Sequence, residues 1–269
     1  MADFSIPPLI ITVNKKLPKI LIQYGNRDNP GYGRGTMDEL KIIQPEKGYR
    51  YSLDPFILAN FVPLKPGDRV IDLGTGNGII PLLLTQRQKG LKIIGIEIQE
   101  ELVFIARKNV RLHGLEGVIE ILELDIKEVS DNFPPASFDL VVGNPPYWPV
   151  RAGRINPDAG KAIARHEVAI TLSEYLASAA YLTRVNGIIS LIILPSRLGE
   201  VVDIMERQKI SPSRLQFVHS YSDSPAKLVL IEGIKLAPCQ LRIERPFVIY
   251  KRPEVYSDEM IAIYKRCDS

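Results

Sequence analysis

Histidine occurs three times, cysteine twice and tryptophan once in the 269 residues. Each scarcity removes a class of chemistry. His113, His166 and His219 do not stand at ligand spacing, and Cys239 and Cys267 lack the paired spacing of a zinc site or a disulfide framework. The expectation is therefore no metal and two reduced thiols. No apolar run approaches the roughly 20 residues of a membrane helix. The opening Met1-Ala2-Asp3-Phe4 lacks the basic start and long apolar core of a secretory leader, which points to a cytoplasmic chain with no membrane partner. Internal repeats and low-complexity tracts are missing as well. What remains is a chain with 45% hydrophobic and 24% charged residues, ordinary for a globular protein and long enough to bury a substantial core.

Net charge is only +3, and it is unevenly spread. Residues 1 to 36 hold Lys15, Lys16, Lys19, Arg27 and Arg34 against Asp3 and Asp28, so the rest of the chain balances. The expected division is a basic N-terminal arm over 1–35, either poorly ordered or touching phosphates, and a single domain over 36–269.

From Pro66-Gly67-Asp68 onward, short β-rich runs alternate with longer helical patterns. Strands are predicted over 69–73, 92–97, 118–124, 138–142 and 187–194, and helices over 79–88, 100–113, 167–182 and 197–208. That alternation is what a parallel sheet with crossover helices requires, so the fold class is α/β and doubly wound. In the helix over 167–182, Val168, Leu172, Leu176 and Ala179 share one face, a stripe suited to the sheet. The tail differs: 215–218 and 227–231 read as an antiparallel hairpin and 242–251 as a further strand. Ser257 is a good N-cap for a last helix, with Asp258 and Glu259 in its first turn and Lys265 and Arg266 in its last.

Two motifs carry chemistry. The first, Val70-Ile71-Asp72-Leu73-Gly74-Thr75-Gly76-Asn77-Gly78, is a buried strand entering a helix through a glycine turn. Its Gly74, Gly76 and Gly78 follow a Gly-x-Gly-x-Gly spacing rather than the Gly-x-Gly-x-x-Gly of a nicotinamide site, and Asp72 precedes them. A carboxylate there repels pyrophosphate and suits a cation. S-adenosylmethionine carries a sulfonium and an ammonium and no phosphate, so the charge balance favours it. Glu97, 19 residues past Gly78, ends the next strand where an acid accepts from ribose hydroxyls. Ile98 beside it offers an apolar wall for adenine, and Asp125 after the third strand is an acceptor for the adenine amino group.

The second motif is Asn144-Pro145-Pro146-Tyr147, closing the run Phe138 to Gly143. An exocyclic or amide NH2 is a poor nucleophile because its lone pair is delocalised. The Asn144 side-chain oxygen and the Pro145 carbonyl can take its two hydrogens, Pro146 adds no competing donor, and Tyr147 offers a stacking face. Beyond it, residues 148–166 carry Arg151, Arg154, Lys161 and Arg165 against only Asp158, a loop suited to phosphates. Trp148 fits either base stacking or the core. His166 reads as an RNA contact or a helix-start residue, and His113 and His219 as structural.

With these residues the chain resembles the Asn-Pro-Pro-Tyr class I methyltransferases and, more narrowly, the bacterial tRNA1(Val) adenine-37 N6-methyltransferase family. The carriers are Met37-Asp38-Glu39-Leu40, Ile43-Gln44-Pro45, Gly48 to Asp54, Asp72 to Gly78, Asn144 to Tyr147, Ala164 to Glu167, Val218-His219, Pro225-Ala226 and Arg245 to Tyr250. The resemblance implies a Rossmann-like, seven-stranded, mostly parallel sheet with an antiparallel C-terminal hairpin. It also implies S-adenosylmethionine as cofactor, Asp54 in its site, and methyl transfer to N6 of an adenine in a tRNA anticodon loop by a monomer. Residues 1–35 have no counterpart in it, and Trp148 replaces a smaller aromatic. A glutamine N5-methyltransferase acting on a translation factor and an rRNA adenine N6-methyltransferase are the rivals. The first generally carries a helical N-terminal domain, for which too few residues precede Asp72.

Overall fold

The computed structural model describes residues 21–24, 41–44, 53–145 and 170–266. Its centre is a parallel sheet built from runs that are apolar on both faces. In β3 (Arg69–Leu73) only the first residue is exposed, as a strand covered on both sides by helices requires. Chain order supplies β1 (Leu21–Tyr24), β2 (Lys41–Gln44), α1 (Asp54–Phe61), β3, α2 (Ile79–Arg87), β4 (Lys92–Glu97), α3 (Glu100–Leu112), β5 (Ile119–Glu123), α4 (Val129–Asn132) and β6 (Phe138–Gly143). Beyond residue 170 come α5 (Leu172–Leu182), β7 (Thr183–Ile193), α6 (Leu198–Arg207), β8 (Ile210–His219), β9 (Ala226–Lys235), four short strands β10 to β13 within 242–256, and α7 (Asp258–Arg266).

Seven principal strands run in the order β5-β4-β3-β6-β7-β9-β8, with β9 antiparallel to both neighbours, and the two-residue pieces Arg242–Ile243 and Phe247–Val248 add to β8. The doubly wound seven-stranded sheet with a C-terminal hairpin is the predicted architecture. One core layer joins α1, α2, α3 and α7 to Val70, Ile93, Leu140 and Leu230. The other joins α5 and α6 to Ile71, Leu73, Val141, Ile189 and Ile231. Adjacent strand residues such as Val70 and Ile71 thus face opposite layers, and the order reverses at β3, between β4 and β6. That switch point opens the crevice in which such sheets hold ligands.

Three details depart from the sequence reading. Helix α5 starts at Leu172 rather than at 167, because Thr171 and Glu174 form a capping box, each side chain accepting from the other's backbone N–H. Within the forecast stripe Leu172, Leu176 and Ala179 are buried, while Val168 lies outside the described residues. Strand β7 begins at Thr183, four residues early, through an irregular register that includes Asn186 at φ +59°. The forecast strand over 242–251 is broken into β10 (Arg242–Ile243), β11 (Phe247–Val248) and the start of β12 (Tyr250–Arg252), with Arg245-Pro246 interrupting it. The last helix is capped as expected: the Met260 N–H donates to the Ser257 hydroxyl at 3.0 Å. Among the described residues no helix is long and apolar enough to cross a membrane.

Candidate active site

Strand register brings the two motifs together. Leu73 pairs with Gly143, so the glycine turn and Asn144 leave neighbouring strands, about 4.8 Å apart. Gly74, Gly76 and Gly78 have φ of +76°, +58° and +80°, the left-handed region in which a side chain is strained. Strand β4 shapes this turn. The Gly74 and Thr75 N–H groups donate to the Ile96 carbonyl at 3.0 and 2.9 Å, and the Gly76 N–H donates to Glu97 Oε2 at 3.0 Å. Gly78 also lets α3 approach: a Cβ there would stand 3.2 Å from that of Ala106.

The acids at the strand ends differ in what they already hold. Glu97 is buried, and its second oxygen accepts from the Gln99 N–H at 3.0 Å. Ile98 is 45% exposed, a large apolar face beside Glu97. Asp125 caps the turn that follows it: Oδ1 accepts from the Lys127 N–H at 2.9 Å, and Oδ2 lies 3.4 Å from the Lys127 ammonium. Asp54 is half-buried and opens α1, where its charge favours the helix N-terminus.

Asp72 is different in kind. It is fully buried and neither oxygen has a hydrogen-bond partner. Desolvation pushes its pKa up to about 7; the charge of Glu97 adds to the rise and the Thr75 hydroxyl opposes it. That hydroxyl is near enough to act on the charge yet makes no well-formed hydrogen bond to it. A carboxylate so placed favours a cation brought to the glycine turn, and on this observation the residues fit S-adenosylmethionine. Asn144 is a second acceptor without a partner: its Oδ1 is buried and unbonded, and Pro145 beside it is buried. Leaving such an acceptor unpaired costs about 1–3 kcal/mol, which an incoming N–H removes. Pro146, Tyr147, Trp148, Arg151, Arg154, Arg165 and His166 lie outside the described residues.

Two further residues of the site carry no sequence motif. Asn109 is fully buried on α3; its Oδ1 accepts from the Ile43 N–H at 2.8 Å, and its Nδ2 donates to the Ile43 and Asn77 carbonyls at 2.9 and 2.8 Å. It ties β2 to the glycine turn. The one signal the sequence offers is an amide on an otherwise apolar helix face, between Ala106 and Val110. Tyr175, on α5, is also buried and donates to the Leu73 carbonyl at 3.1 Å.

The fold and the site define an S-adenosylmethionine-dependent methyltransferase, and the comparisons agree. A family model described as a methyltransferase domain matches residues 64–187. A predicted O-methyltransferase from Agrobacterium tumefaciens shares the fold at TM-score 0.65 and 19% identity, covering 80% of this chain and 97% of that one. A geranyl diphosphate C-methyltransferase from Streptomyces coelicolor does so at TM-score 0.51 and 12% identity, over 67% of this chain and 76% of that one. Among curated relatives, a tRNA1(Val) (adenine(37)-N6)-methyltransferase from Tolumonas auensis is 30% identical over 61% of this chain and 67% of its own length. Its namesakes from Parabacteroides distasonis and Aeromonas hydrophila are 27% and 26% identical, covering 79% and 85% of this chain and 87% and 94% of theirs. The chain belongs to the tRNA1(Val) (adenine(37)-N6)-methyltransferase family.

Proposed function

We propose that this protein transfers the methyl group of S-adenosylmethionine to the exocyclic N6 of an adenine in RNA, namely adenine 37 in the anticodon loop of tRNA1(Val). The observation that carries the reading is the buried, unbonded Asn144 oxygen one strand from the buried, unbonded Asp72 carboxylate: an acceptor for an amino group beside a counter-charge for a cation. The names of the relatives supply the tRNA and the nucleotide.

When bound, S-adenosylmethionine supplies a methyl on a sulfonium, and its departure leaves a neutral thioether. The residues then have little acid or base work to do. Their task is alignment and charge placement. In this proposal Asp72 faces the cationic half of the ligand, Glu97 accepts from ribose hydroxyls while keeping its hold on the Gly76 N–H, and Ile98 lies against adenine. Asp125 accepts from the adenine amino group and Asp54 completes the cofactor's surroundings. Asn144 Oδ1 and the Pro145 carbonyl each accept one N6 hydrogen, Pro146 leaves that edge free of a donor, and Tyr147 stacks on the target base. The lone pair freed in this way forms the N–CH3 bond, and the extra proton on nitrogen passes to water. A loop nucleotide leaves its stack at lower cost than one in a duplex.

Trp148, Arg151, Arg154, Arg165 and His166 are assigned to the RNA in this reading, and the basic arm over 1–35 to its phosphates, with 36–269 as the catalytic domain. A tRNA substrate places the enzyme in the cytoplasm. The test is incubation with labelled cofactor and total RNA or, separately, total protein. Label in the tRNA fraction is expected; label confined to protein glutamine would replace this reading with the translation-factor rival.

A further inference from the structure

The two motifs meet at one side chain outside both. Tyr175 is fully buried on α5, and its hydroxyl donates to the carbonyl of Leu73, the last residue before the glycine turn. The same hydroxyl occupies the space above Gly143, the last residue before Asn144: a Cβ on residue 143 would fall onto it, while standing 3.1 Å from Tyr175 Cζ and 3.1 Å from the Leu73 carbonyl oxygen. Leu73 and Gly143 are register partners on adjacent strands. One phenol oxygen therefore touches the departure points of the cofactor turn and of the catalytic peptide. Gly143 is glycine because the hydroxyl has its place.

We propose that Tyr175 is a positioning residue: its hydroxyl sets the spacing between the cofactor turn and Asn144, and with it the distance across which the methyl group travels. The inference deepens the methyltransferase reading and rests on it. Transfer in line needs donor and acceptor atoms about 3–3.5 Å apart, and a misplacement of about 1 Å costs on the order of a hundredfold. A strand end held only by ladder hydrogen bonds moves more easily than one wedged by a rigid ring. The ring is well anchored, since α5 begins at the Thr171 capping box and buries Leu172, Leu176 and Ala179 against the sheet. Burial and the neighbouring charge of Asp72 keep the phenol protonated, so it remains a donor.

The size relation between residues 143 and 175 supplies a test that separates a space-filler from a hydroxyl that positions. Four proteins are compared: wild type, Tyr175→Phe, Gly143→Ala and the double variant. Each is measured for thermal midpoint without ligand, for S-adenosylmethionine Kd by calorimetry, and for single-turnover methyl transfer to tRNA at saturating cofactor. Gly143→Ala alone forces methyl and hydroxyl into one place and has the lowest midpoint. In the double variant the alanine methyl takes the space the hydroxyl vacates, so the midpoint recovers by several degrees. Tyr175→Phe is expected to bind cofactor within about twofold of wild type and to transfer about tenfold more slowly, and the double variant to stay at that slow rate. A Tyr175→Phe rate equal to wild type overturns the proposal. So does a double variant whose rate returns fully, which reduces the tyrosine to packing. If wild type leaves tRNA unmethylated, the acceptor assignment fails by itself, and the same rates are then measured on whichever RNA or protein fraction gains label: a Tyr175→Phe rate equal to wild type overturns the positioning role, and a rate about tenfold lower with cofactor Kd unchanged upholds it.

Discussion

The carboxyl ends of β4 and β5 and those of β3 and β6 are built from similar groups in opposite states. At β4, Glu97 already accepts from the Gly76 and Gln99 N–H groups, and past β5 Asp125 caps its own turn. At β3, and just past β6, the side-chain oxygens of Asp72 and Asn144 are buried and accept nothing. The first pair shapes a ligand's surroundings and is stable without it. The second pair is incomplete by itself and gains from what arrives; in the proposed reaction, binding energy is thereby directed at the two points between which the methyl group moves. Native proteins rarely leave buried acceptors unpaired, and two such residues on adjacent strands mark a site more firmly than any one acid.

The largest effect should come from the β6 side. Asn144→Ala removes the acceptor for one amino hydrogen, and turnover should fall by about 10²-fold or more with cofactor Kd nearly unchanged. Equal losses in both would assign Asn144 to cofactor binding and dissolve the contrast with Glu97. Substituting Arg151, Arg154 and Arg165 together by Gln should weaken tRNA binding about tenfold or more near 0.1 M salt and flatten the salt slope. An unchanged slope would take that loop off the RNA path.

Asp72 is expected to act through charge. Its folded pKa of about 7 lies above the ordinary carboxylate value of 3.8, so the cofactor-free protein binds the extra proton and loses stability as pH rises from about 4 to about 7. A cation at the turn favours the ionised form. Affinity for S-adenosylmethionine should therefore fall as pH drops below about 7, by up to about tenfold per unit. Asp72→Asn should weaken binding above pH 7 and lose this dependence, as titration calorimetry from pH 5.5 to 8 would reveal; an unaltered profile would mean that the carboxylate does not sense the ligand. The smallest effect belongs to the satisfied pair. Glu97→Gln leaves one backbone N–H facing an amide NH2, which should lower the thermal midpoint of the free protein by a few degrees, about 2–4 °C per kcal/mol in a chain of this size.

Much of this contrast is legible in the residues themselves. Strands β3 and β4 match their forecast ends because unbroken apolar runs lie between turn residues, Pro66-Gly67-Asp68 before β3 and Gly90 before β4. Asp72, Glu97, Asn144 and the three glycines stand out because local motifs mark them. What the motifs do not encode is who pairs with whom. Tyr175 meets Leu73 across 102 residues and Asn109 meets Ile43 across 66, so both read as ordinary helix residues. The unsatisfied state of Asp72 and Asn144 is likewise tertiary, since it depends on every strand and helix that closes over them. The start of α5 differs from its forecast for a local reason: the apolar period continues back to Val168, whereas the Thr171–Glu174 cap fixes the first turn at Leu172.

The atom that receives the methyl group is the most direct test of the pairing between Asn144 and an amino group. Digestion of tRNA methylated by the wild-type protein, followed by nucleoside mass spectrometry, should yield N6-methyladenosine from the anticodon loop alone. A methyl found on a ring nitrogen, a base carbon or a ribose oxygen would contradict it, because none of those acceptors offers the pair of N–H groups that Asn144 and Pro145 are proposed to hold.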